Sequence, residues 1–235
     1  MELRSISIID HSNGDYPEPE VTNKVTEAFQ HSARALGELG IDHKRPIDLT
    51  VGMVKDKWYR GLATGYGRIG LFFDADRSEE EQFTIASIAS TLVHEKVHSR
   101  RSQEFPIEIE DNQSLRERTV QEGLATYIQM TSQLSLDTWI GVPCVAAVYY
   151  EDLFNPYGSG VIDRAYDQFM PEIDTTDQLF IEDFLNEPFE TRKGSYVTLF
   201  PAETLVGLSA VRKRVTEGSA LRDLIVMPHE ELLRA

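Results

Sequence analysis

The sequence predicts an α+β protein, with a small mixed sheet and a helix near the N-terminus followed by a mainly helical remainder. Two observations support this prediction. Short β-branched segments separated by turn residues lie in the first third of the chain. Long stretches with apolar residues at helical spacing dominate thereafter. We expect a single domain over residues 1–235, with a sheet-rich lobe at 1–77, central helices at 78–133 and a helical lobe at 134–235.

Three strands and one helix are predicted in the first lobe. Segments rich in isoleucine, leucine and valine predict strands at Leu3–Ile9, Ile47–Met53 and Arg68–Phe73. Between the first two strands, Pro19–Leu39 carries apolar residues at helical spacing, and Gly40 suits the end of that helix.

A glycine-dense segment, Gly61–Gly67, precedes the third strand. Such a density of glycine indicates either a surface hairpin or a close approach by another backbone. From these residues alone, the hairpin is the favoured interpretation.

Two long helices are predicted in the centre of the chain. The first begins at Ser78, where Ser78 and Glu81 fit a capping box, and runs to about Arg101. The second begins near Ser114 and runs to about Gln133. The pattern that follows is mostly helical and is interrupted by two loops, Asn155–Gly160 and Glu187–Gly194.

Composition and charge limit what the protein can bind. Hydrophobic residues form 41% of the chain and charged residues 26%, the balance of an ordinary globular protein. The formal net charge of −16 disfavours a nucleic-acid partner, because phosphate would be repelled. The longest apolar stretch, Trp139–Tyr150, contains Pro143 and is too short to span a bilayer, so no membrane partner is expected.

The single cysteine, Cys144, rules out an internal disulfide. Its apolar neighbours predict a buried structural thiol and not a nucleophile. Together with an N-terminus that does not resemble a signal sequence, this favours a cytoplasmic protein.

The first central helix carries the motif His94-Glu95-Lys96-Val97-His98. Residues four apart lie on one face of a helix, so His94 and His98 can both bind one zinc ion. Glu95 lies about 100° further round the helix, where its carboxylate can take a proton from a zinc-activated water. Such a pattern arises by chance in roughly one chain of this length in a hundred, so its surroundings matter.

The surroundings of the motif support a metal site. Five residues on this helix lie within about 60° of one line: Ser87, Ser90, Thr91, His94 and His98. Apolar residues occupy most of the remaining circumference, which predicts a helix buried on most sides with one polar stripe facing a cavity. Lys96 and Arg100 fall within the apolar arc, and we expect the amine of Lys96 to extend past the edge of the core.

A catalytic zinc ion usually has three protein ligands, so a third is needed. Glu104 lies ten residues after His94, as in metzincins, but Arg101 stands where that pattern requires glycine, which argues against it. Glu122 is the better candidate, because it lies in the second central helix beside the small residues Gly123 and Ala125. A glycine within a helix is costly, and close packing of the two helices would explain it.

At these residues the sequence resembles the gluzincin metallopeptidases, in which a His-Glu-x-x-His helix is followed by a glutamate ligand on a second helix. More narrowly, it resembles an uncharacterised bacterial family described as predicted zinc-dependent proteases, which adds a Glu-Gly-Leu-Ala motif. Six segments carry the resemblance: Gly61–Asp74, His94–His98, Glu122–Tyr127, Gly194–Tyr196, Gly218–Leu221 and Met227–Leu232.

The resemblance implies a zincin-like fold in which one Zn²⁺ ion is held by His94, His98 and Glu122, with Glu95 as the base. It also implies an edge strand along the cleft that pairs with a peptide or protein substrate, and Arg68–Phe73 is the expected strand. Two positions depart from the family pattern. Ser99 replaces a frequent histidine, and Thr126 replaces the aspartate that some members have behind the metal ligands, so the residue that orients His94 stays open.

Three function classes stay open at this stage. The leading hypothesis is a zinc metallopeptidase, a hydrolase that cleaves peptide bonds with metal-activated water. The alternatives are a catalytically silent gluzincin-like domain that binds a peptide or partner, and a hydrolase of another amide or ester. The donor that stabilises the transition state is also open, with Tyr127, Tyr196 and His229 as candidates. Substrate preference and oligomeric state are not predicted.

Overall fold

The computed structural model describes residues 2–10, 18–54, 61–63, 67–74, 84–105, 115–132, 160–175, 188–193 and 196–234. Over these residues the protein is α+β, with a small mixed four-stranded sheet and mostly helices elsewhere, as the sequence predicts. The chain divides into two compact units, residues 1–106 with 128–141, and residues 107–127 with 142–235. The single-domain organisation stays a prediction.

The first unit contains the four-stranded sheet and the first two helices. Its elements are β1 (Leu3–Asp10), α1 (Glu18–Glu38), β2 (Ile47–Val54), β3 (Gly61–Ala63), β4 (Arg68–Asp74) and α2 (Ile85–Glu104). The predictions for β1, α1, β2 and β4 are therefore confirmed. The end of α1 has the expected glycine: Gly40 has φ of 72°, and the N–H of Ile41 donates to the carbonyl of Leu36 at 2.9 Å.

The strand order β1-β2-β4-β3 corrects one expectation. Arg68–Phe73 belongs to β4, which pairs in parallel with β2 on one side and antiparallel with β3 on the other. It is therefore an interior strand, and Gly61–Ala63 forms the edge. The start of the glycine-dense segment supplies this edge strand.

One face of the sheet is covered by helices α1 and α2. Alternate residues of β2 and β4 point into this core: Ile47, Leu49, Val51, Ile69, Leu71 and Phe73. They pack against buried apolar residues of α1 and the first half of α2: Val21, Val25, Ala28, Phe29, Ile88, Ala89 and Leu92. This core fixes the orientation of α2 and thereby the direction of its polar stripe.

The beginning of α2 differs from the prediction. The helix starts at Ile85, because Thr84 has extended backbone angles and its side chain accepts a hydrogen bond from the N–H of Ser87 at 3.1 Å. The predicted capping box at Ser78 and Glu81 lies outside the described residues. At the other end, α2 continues three residues beyond Arg101, to Glu104.

In its described residues the second unit consists of helices and a two-stranded hairpin. Its elements are α4 (Val161–Thr175), β5 (Pro188–Lys193), β6 (Tyr196–Pro201), α5 (Ala202–Thr216), α6 (Leu221–Ile225) and α7 (His229–Leu233). The predicted loop at Glu187–Gly194 is wrong, since β5 and β6 pair antiparallel there. Two residues, Gly194-Ser195, separate these β-branched and aromatic segments, which is a hairpin signal.

Helix α3 (Leu115–Thr131) confirms the second central helix, and the division between the two units falls within it, after Tyr127. Within the second unit, Gly123 of α3 lies against Gly207 of α5. A β-carbon added at Gly123 would lie 2.2 Å from the carbonyl carbon of Gly207. Gly123 thus does permit close helix packing, but its neighbour is α5, whereas the sequence suggested the helix that carries His94.

Candidate metal centre

The polar stripe of α2 has the predicted pattern of burial. Ser87 and Ser90 are buried, whereas Thr91, His94 and His98 are half-buried. From Ile88 onward the apolar surround is almost fully enclosed, with Ile88, Ala89, Leu92, Val93 and Val97 at most 1% exposed, whereas Ile85 and Ala86 in the first turn are half-buried. The helix therefore presents its two histidines along its least enclosed face.

The two histidine rings converge through equivalent nitrogen atoms. Nε2 of His98 lies 3.0 Å from Nε2 of His94, and the ring centroids are 4.7 Å apart with an interplanar angle of 68°. Two imidazole nitrogens this close can both direct a lone pair at one cation. The i, i+4 spacing produces this arrangement because both side chains leave the same side of α2.

Glu122 joins the histidines in a group that can hold a metal ion. His94, His98 and Glu122 each offer one ligand atom, and these atoms all lie within 4.8 Å of one another. Glu122 is half-buried, so it is not a fully solvated residue of the helix surface. Two imidazoles and a carboxylate are the donor set of a known class of catalytic zinc sites.

Gln129 contacts His94 and was missed at the sequence level. Its Oε1 lies 3.2 Å from Nδ1 of His94, and its Nε2 donates to Oγ of Ser90 at 2.9 Å. Gln129 follows Glu122 by two turns of α3, so both side chains lie on one face of that helix. This seven-residue spacing was visible in the sequence and is the signal that could have identified Gln129.

Glu95 is buried between its helix and the edge strand. Its side chain is 7% exposed, and a β-carbon added at Gly61 would lie 2.4 Å from its Oε1. The backbone of β3 therefore passes directly beside the carboxylate. The favoured interpretation of the glycine-dense segment as a hairpin is borne out, since β3 and β4 pair antiparallel. Another backbone does approach the segment closely, but at Gly67, where an added β-carbon would lie 2.5 Å from the carbonyl oxygen of Pro46.

Lys96 does not extend to solvent, which corrects the expectation. It is 0% exposed, and its Nζ donates to the carbonyl of Phe29 at 3.0 Å and to Oγ of Ser32 at 2.6 Å. Helix α1 covers this face of α2 and supplies the polar partners for the amine. Burial lowers the pKa of Lys96 to about 6.

Glu104, the rejected ligand candidate, is engaged elsewhere. Its carboxylate forms ion pairs with Lys44 and with Arg100, the latter at 2.7 Å. Hydrogen bonds from these two cations hold its pKa below the ordinary value. The geometry agrees with its rejection.

The three candidate transition-state donors lie in different elements of the second unit: Tyr127 in α3, Tyr196 in β6 and His229 in α7. Both ring nitrogens of His229 face carboxylates, Glu117 at 3.4 Å and Glu230 at 3.0 Å, which is typical of a structural histidine. Tyr127 is buried, and burial raises its pKa. Tyr196 lies in β6, but its side chain, like Cys144, is outside the part that the structure describes.

No helix in the described part of the chain is long and apolar enough to cross a membrane. No family profile matches the sequence, and no curated protein matches it either. The assignment of a function therefore depends on the residues of the site themselves.

Proposed function

We propose that this protein is a gluzincin-type zinc hydrolase that cleaves peptide bonds. The observation that carries the proposal is the convergence of ligand atoms from His94, His98 and Glu122 to within 4.8 Å of one another. The donor set fits zinc, because imidazole nitrogen and carboxylate oxygen are ordinary zinc ligands and three protein ligands leave a coordination position open. When bound, zinc would supply Lewis acidity, polarising a carbonyl and lowering the pKa of water to about 7.

Glu95 is the proposed general base. It follows His94 directly in α2, so its carboxylate lies beside the ligand face without competing for the metal. In the proposed reaction it accepts a proton from the attacking water and later donates a proton to the leaving amine. A purely structural site has no need for such a carboxylate, which favours an enzyme over a silent binding domain.

The edge strand supports a peptide substrate. β3 is the terminal strand in the order β1-β2-β4-β3, and it passes beside Glu95 at Gly61. An extended peptide that pairs with the outer side of β3 would carry its backbone past the base. In this proposal β3 takes the role that the resemblance suggested for Arg68–Phe73. A cytoplasmic location stays a prediction.

The experiment compares metal content and peptide hydrolysis in four proteins. Wild type, purified without added zinc, should contain one zinc ion per chain and cleave members of a peptide library. Glu122→Ala should lose zinc, whereas Glu104→Ala, which removes the rejected candidate ligand, should retain it. Glu95→Gln should keep zinc and lose hydrolysis.

Each result decides a different part of the proposal. Full zinc occupancy in Glu122→Ala would show that the third ligand is wrong. Wild-type hydrolysis by Glu95→Gln would show that the mechanism is wrong. A zinc-loaded wild type that cleaves an ester or a non-peptide amide, but no peptide, would overturn the substrate class alone.

A further inference from the structure

We propose that Gln129 is a positioning residue that holds His94 in the tautomer protonated at Nδ1, so that Nε2 is available to a metal. The inference deepens the proposed function and rests on it, because it concerns the same ligand. It also identifies a residue that orients His94. That question stayed open because Thr126 stands where some gluzincins have an aspartate.

The hydrogen bond between Gln129 and His94 has a defined direction. Oε1 of Gln129, which can only accept, lies 3.2 Å from Nδ1 of His94. The proton of a neutral His94 ring must then be on Nδ1, and the lone pair is on Nε2. Nε2 is the atom that faces His98, at 3.0 Å.

A second hydrogen bond holds the amide of Gln129. Its other end, Nε2 of Gln129, donates to Oγ of Ser90 at 2.9 Å. Ser90 is buried and lies one turn before His94 on the same face of α2. The amide is therefore held at both ends by one helix face, and in the structure its carbonyl is the end that faces the imidazole.

The same unit contains a histidine held in the opposite tautomer. Nε2 of His43 lies 2.7 Å from the backbone carbonyl of Lys96, so this nitrogen carries the proton. Nδ1 of His43 then accepts from Nε2 of Gln103 at 3.1 Å. Gln129 presents its carbonyl oxygen to His94, whereas Gln103 presents its amide nitrogen to His43. Gln103 is thus a matched control for Gln129.

The test measures tautomers in the metal-free protein by ¹⁵N NMR of the imidazole rings. We expect His94 protonated at Nδ1 and His43 protonated at Nε2 in wild type. Gln129→Leu should remove the preference of His94 and leave His43 unchanged, whereas Gln103→Leu should leave His94 unchanged. Gln129→Glu retains an acceptor and should retain the wild-type tautomer of His94.

Zinc affinity, measured by competition with a chelator, is the second readout. Loss of a hydrogen-bond partner behind a metal-binding histidine typically lowers metal affinity by about 10–100-fold, which we expect for Gln129→Leu. Gln129→Glu should bind zinc at least as tightly as wild type, because a carboxylate is a stronger acceptor than an amide. Gln103→Leu should bind zinc as wild type does.

The outcomes separate this inference from the proposed function. A wild type with the predicted tautomers, and with weakened zinc binding in Gln129→Leu, supports the inference even if no peptide is hydrolysed. His94 protonated at Nε2 in wild type would overturn it, whatever the activity. An unchanged tautomer of His94 in Gln129→Leu would also overturn the inference. Loss of the Nδ1 proton in Gln129→Glu would overturn it as well, and this variant decides the question if Gln129→Leu does not fold.

Discussion

Gly61 and Glu95 are so close that a β-carbon on residue 61 would lie 2.4 Å from Oε1 of the glutamate. Only a residue without a side chain fits there while the carboxylate keeps its position. The contact joins the edge strand of the sheet to the helix that carries the proposed metal ligands. It places a strand backbone, with its hydrogen-bonding groups, directly beside the proposed base.

Gly61→Ala is expected to impair hydrolysis while zinc content stays at the wild-type level. The added methyl group must displace either the Glu95 carboxylate or β3. Misplacement of a catalytic group by about 1 Å can cost roughly 10²-fold in rate, and we expect a fall in kcat approaching that size. The measurement is steady-state peptide hydrolysis at saturating zinc, with metal content determined in parallel.

The control for Gly61→Ala is Gly37→Ala on α1, where no heavy atom lies within 4 Å of the added carbon. Its activity should equal that of wild type. Wild-type kcat in Gly61→Ala would mean that the carboxylate moves without loss of function, and Glu95 would then not be a base held by this contact.

Much of the local structure was predictable from local signals, although the hairpin of β5 and β6 and the cap of α2 at Thr84 were missed. The end of α1 at Gly40 and the strands β1, β2 and β4 follow from apolar periodicity and turn residues. Pairing between strands was not predictable in this way. The segment of β4 looks the same in sequence whether it is an edge or an interior strand, and only the position of β3 decides the question.

In the candidate site, too, features set within one helix were predictable and contacts between elements were not. The spacing of His94 and His98 determines their convergence because it acts within one helix. The burial of Lys96 depends on α1, which covers that face of α2 and offers the carbonyl of Phe29. The role of Gln129 depends on a second helix meeting the first. Contacts between distant segments are therefore where sequence reasoning was incomplete.

Zinc is expected to stabilise the wild type against unfolding, and Glu122→Ala should lose most of this effect. A ligand that binds only the folded state stabilises it by about 4 kcal/mol at a thousandfold excess over its Kd. The measurement is denaturant unfolding with and without zinc, followed by reversal with a chelator. Glu95→Gln is the control and should be stabilised like wild type. Equal stabilisation of Glu122→Ala and wild type would contradict its assignment as a ligand.

Gly207→Ala is expected to destabilise the protein by about 1–3 kcal/mol, the usual cost of overpacking a core. A β-carbon at Gly207 would lie 2.1 Å from the backbone carbonyl oxygen of Thr119 and 2.8 Å from Cα of Gly123. Backbone atoms cannot move aside by changing rotamer, so the helices must separate. Denaturant midpoints will measure the effect against Gly37→Ala, which should be neutral or slightly stabilising. A change below about 0.5 kcal/mol would show that α3 and α5 separate at little cost.

Acid is expected to destabilise the protein through His43. Burial lowers its pKa from 6.5 to about 4, so between these values the unfolded chain binds more protons than the folded one. Stability should therefore fall as the pH decreases from about 6.5 to about 4, by about 3 kcal/mol in total from this residue.

His43→Gln removes the titrating ring and keeps an amide donor that can serve the carbonyl of Lys96. The unfolding free energy of wild type, relative to that of the variant, should fall by about 3 kcal/mol between pH 7.5 and pH 4. Parallel curves over this range would show that His43 titrates equally in both states, and that its enclosure between Lys96 and Gln103 carries no penalty for charge.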